Sequence, residues 1–292
     1  MKKKLAIIGS GVIGSATGKG FVSKGYKVVF YDVKKETIDS LKKQGFDARH
    51  FNSLNTEEND AFFLTVPTPT KKGAIDLSYI KKVAEQLGRK LKERKGYFVV
   101  IVRSTVLPGT TEDLVTPILE AESGKKAGVD FGVAMNPEYL RAVNAEKDFR
   151  NPWIVAIGSL DKKTQRFMRE VFGNYQCPTR YVSIKEAETQ KYVHNLFNAI
   201  KVAFFNEMRM ACDVIGINPD KIFEITTESA EGFWNKKYGI RNMGPYDGMC
   251  LPKDTQAFLN WSQKNNIKLD LLSGAISSNK KFEIFWKKNK GR

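Results

Sequence analysis

The chain has 292 residues, 41% of them hydrophobic and 27% charged, with a formal net charge of +16. That length accommodates two domains around a substantial core, and the composition excludes a disordered or fibrous chain. No apolar run approaches the about 20 residues that a membrane span needs, and the lysines are scattered without an aromatic–basic nucleic-acid motif, which argues against a membrane or nucleic-acid partner.

The opening Lys2-Lys3-Lys4-Leu5-Ala6-Ile7-Ile8 imitates a signal peptide, but Gly9, Gly11 and Gly14 break the run and no small-residue cleavage site follows. A first β-strand of a cytoplasmic protein is expected there. Short apolar runs then alternate with amphipathic stretches, the pattern of an α/β sheet domain. Strands are predicted at residues 4–8, 27–31, 61–66, 98–102, 131–135 and 154–157, with a short one near Tyr181. Helices are predicted at 12–24 and 78–92. Residues 110–120 also look helical, although Pro117 predicts an early end or a kink.

From Ile184 the pattern changes. Val193, Leu196, Phe197, Ile200, Phe204, Met208 and Ala211 recur at three- and four-residue spacing, predicting one amphipathic helix of about 30 residues. Further helices are predicted at 219–227, 253–265 and 269–287. The expected architecture is a Rossmann-like doubly wound domain, residues 1–185, followed by an all-helical domain, residues 186–292, joined by the long helix. The apolar face of that helix exceeds what a small helical domain covers, which predicts a homodimer.

Gly9-Ser10-Gly11-Val12-Ile13-Gly14 follows a strand and opens a helix. The glycines permit a tight turn and let the backbone approach a pyrophosphate at the helix N-terminus. Asp32 ends the next strand, where a carboxylate accepts hydrogen bonds from a ribose diol and repels a 2′-phosphate. NAD is therefore expected rather than NADP. Val66-Pro67-Thr68-Pro69-Thr70 and Arg103-Ser104-Thr105-Val106-Leu107-Pro108-Gly109-Thr110 follow strand ends, where ligands of such sheets bind. Ordinary turn chemistry explains each segment equally well.

Asn136-Pro137-Glu138-Tyr139-Leu140 places a carboxylate at the same edge, to order a water or act as a base, or merely to cap a helix. On the long helix Lys191 and Asn195 are four apart and share a face. A partly buried lysine can act as a base or steady an oxyanion, and the amide can donate to the same oxyanion. Cys250 precedes Pro252-Lys253-Asp254, a good helix start, and a thiol at a helix N-terminus beside a lysine is expected to be reactive. Cys212, on an apolar helix face, reads as a buried structural thiol. With Cys177 the cysteines number three, the histidines are His50 and His194 alone, and no metal-ligand spacing exists, so neither a metal nor a disulfide framework is expected.

Taken in order, these segments resemble the UDP-glucose/GDP-mannose dehydrogenase family, the nucleotide-sugar 6-dehydrogenases. The resemblance rests on the glycine fingerprint with Asp32, Val66–Thr70, Ser104-Thr105-Val106 before Pro108-Gly109-Thr110, and Asn136–Leu140. It continues through Lys191 with Asn195, Asn206-Glu207, and Gly248-Met249-Cys250-Leu251-Pro252-Lys253-Asp254. It implies oxidation of a nucleotide sugar, UDP-glucose above all, at C6 to the uronic acid, as in polysaccharide biosynthesis. Two hydride transfers to NAD would pass through a thiohemiacetal and a thioester on Cys250.

By the same resemblance Lys191 and Asn195 would stabilise oxyanions, and Asp254, Thr105 and Glu138 would organise the hydrolytic water. Gly9, Gly11, Val12, Ile13, Gly14, Asp32, Val66, Thr68, Ser104, Thr105 and Lys253 would meet the cofactor. Glu138, Tyr139, Leu140, Lys191, Asn195, Tyr246, Gly248 and Cys250 would meet the substrate. Ala142 stands where the family usually has Glu, and Asp247 where it has Gly. The family also continues into a third, base-binding domain, so the chain reads as a short form or an excised piece. Two other readings stand beside this one: a single-step dehydrogenase of the hydroxyacid or phosphogluconate type, and a non-catalytic descendant that binds NAD or a sugar nucleotide.

Overall fold

A computed structural model describes residues 2–240 and 244–289, and the chain divides into two compact units, Met1–His194 and Asn195–Arg292. In the first unit the strands are β1 (Lys4–Ile8), β2 (Lys27–Asp32), β3 (Ala48–His50), β4 (Ala61–Leu64), β5 (Thr70–Lys71), β6 (Ala74–Ile75), β7 (Phe98–Val102), β8 (Phe131–Met135), β9 (Val155–Ser159) and β10 (Thr179–Val182). Its helices are α1 (Val12–Ser23), α2 (Lys35–Lys43), α3 (Ser78–Leu91), α4 (Thr116–Ser123), α5 (Ala145–Arg150) and α6 (Lys162–Phe172). The long α7 (Ile184–Ile215) crosses the division between the units.

Eight strands form one sheet in the order β10-β9-β8-β7-β4-β1-β2-β3, and β5 pairs with β6 in a separate hairpin. The six strands from β3 to β8 are parallel, in the doubly wound order with its reversal beside β1. β9 runs antiparallel to β8, and β10 runs parallel to β9, so the last two strands reverse the sheet's direction. The central strands are buried on both faces and read as continuous apolar runs, Phe98-Val99-Val100-Ile101-Val102 being fully buried.

Each face of the sheet carries its own core. One gathers Phe62, Phe98 and Phe131 with Ile80, Leu87 and Leu119, and includes Ile184 and Ala187 at the start of α7. The other centres on Phe21, whose ring lies 5.0 Å from Phe149, 5.2 Å from Phe63 and 5.4 Å from Phe172.

The helix expected to end early or kink at Pro117 does not end there: it runs on to Ser123. Residues Thr111–Val115 form a π-helical turn that widens the backbone before α4, with Pro117 in the first turn of α4. Proline has no N–H to return to the fourth preceding carbonyl, and a wider turn removes the need for that bond.

The second unit contains the rest of α7 with α8 (Pro219–Ser229), α9 (Glu231–Trp234), α10 (Leu251–Lys264) and α11 (Asp270–Asn289). Its buried cluster is small: Ala211, Leu259, Ile267 and Leu269, with Met208, Phe258, Trp261, Leu272 and Ile276 packed against it. The Glu207 carboxylate accepts from Leu271 N at 2.5 Å and Leu272 N at 3.2 Å, satisfying two of the open donors at the start of α11. No helix among the described residues is long and apolar enough to cross a membrane.

Candidate active site

At the end of β1 the chain must turn sharply into α1. Gly9 has φ +92°, and a Cβ there would lie 2.9 Å from Val66 N; a Cβ on Gly14 would lie 2.0 Å from Gly9 O. Gly14 therefore lets α1 pack against the turn rather than lining the cleft. Gly11 has nothing within 4 Å of its Cβ position, so a ligand can approach the backbone at the helix start. α1 has neither a side-chain cap nor an acid in its first turn, which leaves its first N–H groups available for an anion.

Asp32 holds this turn from the tip of β2. Its Oδ2 accepts from Ser10 N at 2.7 Å, and its Oδ1 from Val33 N at 2.8 Å and Lys34 N at 2.9 Å. An ionised carboxylate offers about four acceptor sites, so Oδ2 keeps one for a ribose hydroxyl. The neighbouring strand-end loops are stitched together: Thr68 Oγ1 donates to Thr105 O and Ser104 Oγ to Val66 O, both at 2.6 Å.

Between these parts lies a cleft of about 620 Å³, lined among others by Gly9, Gly11, Val12, Ile13, Asp32, Val66, Thr68, Ser104, Thr105 and Glu138. Its volume suits a cofactor-sized ligand, and the uncapped helix end and open Gly11 fit a pyrophosphate. Thr37, Tyr79, Lys82 and Gln86 also line it, and sequence reasoning missed them. They sit on faces of α2 and α3 where nothing but the tertiary fold distinguishes a lining residue from a solvated one.

Glu138 and Lys191 meet at 2.9 Å, with side chains 12% and 5% exposed. Glu138 Oε2 also accepts from Leu140 N at 2.7 Å. The Lys191 ammonium lies 5.7 Å from the centre of the Tyr139 ring, which packs 5.0 Å from His194, and the Tyr139 hydroxyl donates to Gln190 Oε1. Burial pushes the Tyr139 hydroxyl up to about 12, and burial followed by the Lys191 charge pulls His194 below its usual value. Arg103, 4% exposed, donates to Thr17 Oγ1 at 2.9 Å and to the Asn136 side chain. Burial pushes it down to about 10, which still leaves it charged at neutral pH.

Glu188 is a functional-looking residue that the motif reading missed. It is fully buried, and its carboxylate accepts from Gly109 N at 2.5 Å and Thr111 N at 2.8 Å, so it fixes the far end of the loop that carries Ser104 and Thr105. Desolvation is the main cause that raises its pKa. A signal for it does exist in the sequence. Ile184, Ala187, Glu188 and Lys191 fall at i, i+3, i+4 and i+7, the core-facing stripe of a helix, and all four are buried.

In the second unit Cys250 is exposed, Cys212 is buried, and Cys177 in the first unit is intermediate, its thiol pushed up by burial. Cys250 stands at the start of α10, its carbonyl accepting from Asp254 N at 2.8 Å, and Pro252 occupies the first turn. Lys253 Nζ pairs with Asp254 Oδ1 at 2.5 Å on the exposed side of that turn. Gly248, two residues before the thiol, has φ +90°, which a side-chain-bearing residue rarely adopts. Asn195 is exposed on α7, one turn beyond Lys191.

Comparison with known proteins also finds two domains, with the second beginning at residue 185, at the start of α7. Residues 3–176 match the NAD binding domain of the UDP-glucose/GDP-mannose dehydrogenase family, and residues 185–281 match its central domain. The chain is 31% identical to GDP-mannose 6-dehydrogenase of Pseudomonas aeruginosa, over 94% of this chain and 68% of that relative. It is also 31% identical to a UDP-glucose 6-dehydrogenase of Haloferax volcanii, over 94% of this chain and 69% of the relative. The crystal structure of a ternary complex of GDP-mannose dehydrogenase from Pseudomonas aeruginosa superposes with a TM-score of 0.90 at 31% identity, covering 95% of this chain and 68% of that one.

Proposed function

The chain belongs to the UDP-glucose/GDP-mannose dehydrogenase family, NAD-dependent oxidoreductases of nucleotide sugars, and from that premise we propose that it oxidises a sugar C6 hydroxyl to the carboxylate through Cys250. The observation that carries this reading is an exposed thiol at a helix start in a chain that also holds a dinucleotide cleft. A single oxidation of an alcohol needs no nucleophile. A second oxidation needs one to hold the aldehyde.

NAD, when bound, accepts the hydride that leaves C6 in each oxidation. In the first, the hydroxyl proton goes to a base and the alcohol becomes an aldehyde. The Cys250 sulfur then bonds to C6 and the carbonyl oxygen takes a proton, giving a thiohemiacetal. Loss of the second hydride and the hydroxyl proton gives a thioester. Water adds, the C–S bond breaks, and the thiol is regenerated with the carboxylate. The sum is one alcohol and one water to one carboxylate, two hydrides delivered and three protons released.

The Glu138–Lys191 pair supports a division of labour. A buried ammonium held by a carboxylate is a fixed positive charge, suited to stabilising the alkoxide and the later oxyanions. Glu138, already anchored by Leu140 N, is suited to hold a water or take a proton. Asn195 is assigned the second oxyanion donor, and Thr105 and Asp254 the ordering of the hydrolytic water. The α7 residues Leu196, Phe197 and Ile200, each more than half exposed, support a homodimer through this helix.

GDP-mannose is the substrate we favour, from the TM-score of 0.90 with the GDP-mannose dehydrogenase. UDP-glucose, favoured by the sequence resemblance alone, is the second reading and is supported by the Haloferax volcanii relative. The test is NADH yield with each sugar. Two NADH per sugar and a uronic acid are expected, and Cys250→Ala should lower acid formation by at least about a thousandfold, in line with loss of a covalent nucleophile, while NAD binding is retained. Acid formed by Cys250→Ala with two NADH per sugar would remove the covalent mechanism.

A further inference from the structure

We propose that Asn279 is a positioning residue for the Cys250 nucleophile: its side-chain amide clamps the backbone of Tyr246 and thereby fixes the turn that presents the thiol. The proposal rests on the preceding reading of Cys250 as the covalent nucleophile. Asn279 Oδ1 accepts from Tyr246 N at 2.9 Å, and Asn279 Nδ2 donates to Tyr246 O at 2.9 Å. A single hydrogen bond leaves the bonded peptide free to swivel about it. Two bonds from one planar amide to the N–H and C=O of one residue set both its distance and its plane, as a strand neighbour would.

The place of the clamp gives it its effect. Tyr246 is partly buried, whereas Asp247, Gly248, Met249 and Cys250 are all exposed, Met249 at 88%. Among the described residues the clamp is thus the last side-chain hydrogen bond to the backbone before the thiol, and the start of α10 follows it. The clamping side is itself held by packing and hydrogen bonds. Asn279 lies on α11 one turn beyond Ile276, which packs against the buried cluster of this unit, and the N-terminus of α11 is held by the Glu207 carboxylate. The same helix receives the turn a second time: Gly244 has φ +93°, and a Cβ there would lie 3.1 Å from Trp286 Nε1. Asparagine is a poor choice inside a helix, and an outward-facing position there would favour a stronger helix former. The amide is accounted for by what it holds.

A thiol that captures an aldehyde must sit within bonding reach of C6 before the aldehyde leaves, and a misplacement of about 1 Å costs up to a hundredfold. The decisive experiment compares wild type with Asn279→Ala and Asn279→Asp, each confirmed folded by circular dichroism. Both variants should keep NAD affinity. Both should lose about tenfold to a hundredfold in kcat for acid formation and release aldehyde that semicarbazide traps, so that NADH per sugar falls from two toward one. Asn279→Asp keeps the acceptor for Tyr246 N but sets an oxygen against Tyr246 O, so it should fail in the same way, and it carries the test if the alanine variant does not fold. Hydrogen exchange should show the Tyr246 amide protected in wild type and exposed in Asn279→Ala.

A merely structural role would lower the amount of folded enzyme without changing the stoichiometry. If the folded variants still yield two NADH per sugar with kcat within twofold of wild type, Asn279 does not position the thiol, and the covalent reading stands. If wild type oxidises no nucleotide sugar, or Cys250→Ala still makes acid, the covalent reading falls and the positioning role falls with it.

Discussion

The two units treat their large apolar side chains in opposite ways. In the first, Phe21, Phe62, Phe63, Phe98 and Phe131 are at most 1% exposed, and two cores cover both faces of the sheet. In the second, Leu196, Phe197, Ile200, Val214 and Ile225 are each at least half exposed, and the buried cluster contains four residues. A sheet covered by helices on both faces closes its core within one chain. A long helix with a few short partners leaves part of its apolar circumference uncovered, and exposed apolar surface of this kind marks an interface. Stability is therefore expected to reside in the first unit and association in the second.

The harshest way to break that comparison is Phe21→Ala. Its ring packs against Phe63, Phe149, Phe172 and Tyr26, and its loss should cost about 3–5 kcal/mol in denaturant unfolding. A loss under about 1 kcal/mol would mean that this core collapses around the gap. Glu188→Ala comes next. It leaves the Gly109 and Thr111 N–H groups bare in a buried place, and about 2–3 kcal/mol is expected from the drop in melting temperature. Unchanged stability there would show that water reaches those donors.

Phe197→Glu sharpens the other side. The folded protomer should keep its stability to within about 0.5 kcal/mol, because the side chain is 62% exposed, while the proposed dimer should dissociate. Light scattering at micromolar concentration reads this directly, and a wild type that is already monomeric would sink the dimer. The mildest effect concerns His194. Burial, then Lys191, lowers its folded pKa below the usual 6.5, so its neutral form is favoured in the folded protein. The stability it contributes is present above pH 6.5 and is lost as pH falls through the lower folded value. His194→Gln should flatten the stability profile in that acid window alone, and an unchanged slope would assign the window to other groups.

Much of the first unit is legible from the chain. The predicted strands at 4–8, 98–102 and 131–135 coincide with β1, β7 and β8, because strands buried on both faces must be apolar throughout. The predicted strand at 61–66 ends at Leu64, where Thr65 N bonds Ile8 O and the chain turns into the cleft. The glycine turn and Asp32 are equally legible, since both serve local geometry: a positive φ, a close approach and an acceptor at a strand tip. The reversal of β9 and β10 is not. Their runs look like any buried strand, and direction is set by where the preceding connection leaves the chain.

The long helix divides along the same line. Its length and its amphipathic period follow from spacing. Which part of its apolar stripe is covered does not: Ala211 is buried, while Leu196, Phe197 and Ile200 are exposed. Glu188 and Lys191 share the core-facing stripe of Ile184 and Ala187, so their side of the helix is legible from spacing, but their partners, the Gly109–Thr111 turn and Glu138, are not. Periodicity and backbone constraints lie within a few residues of one another, so the sequence by itself determined the long buried strands, the long helix, the dinucleotide turn and the thiol motif at a helix start, but not short elements such as β3 and the β5–β6 hairpin. Burial and side-chain pairing join residues tens of positions apart, so the tertiary structure alone decided the Glu138–Lys191 pair, the Glu188 anchor and the Asn279 clamp.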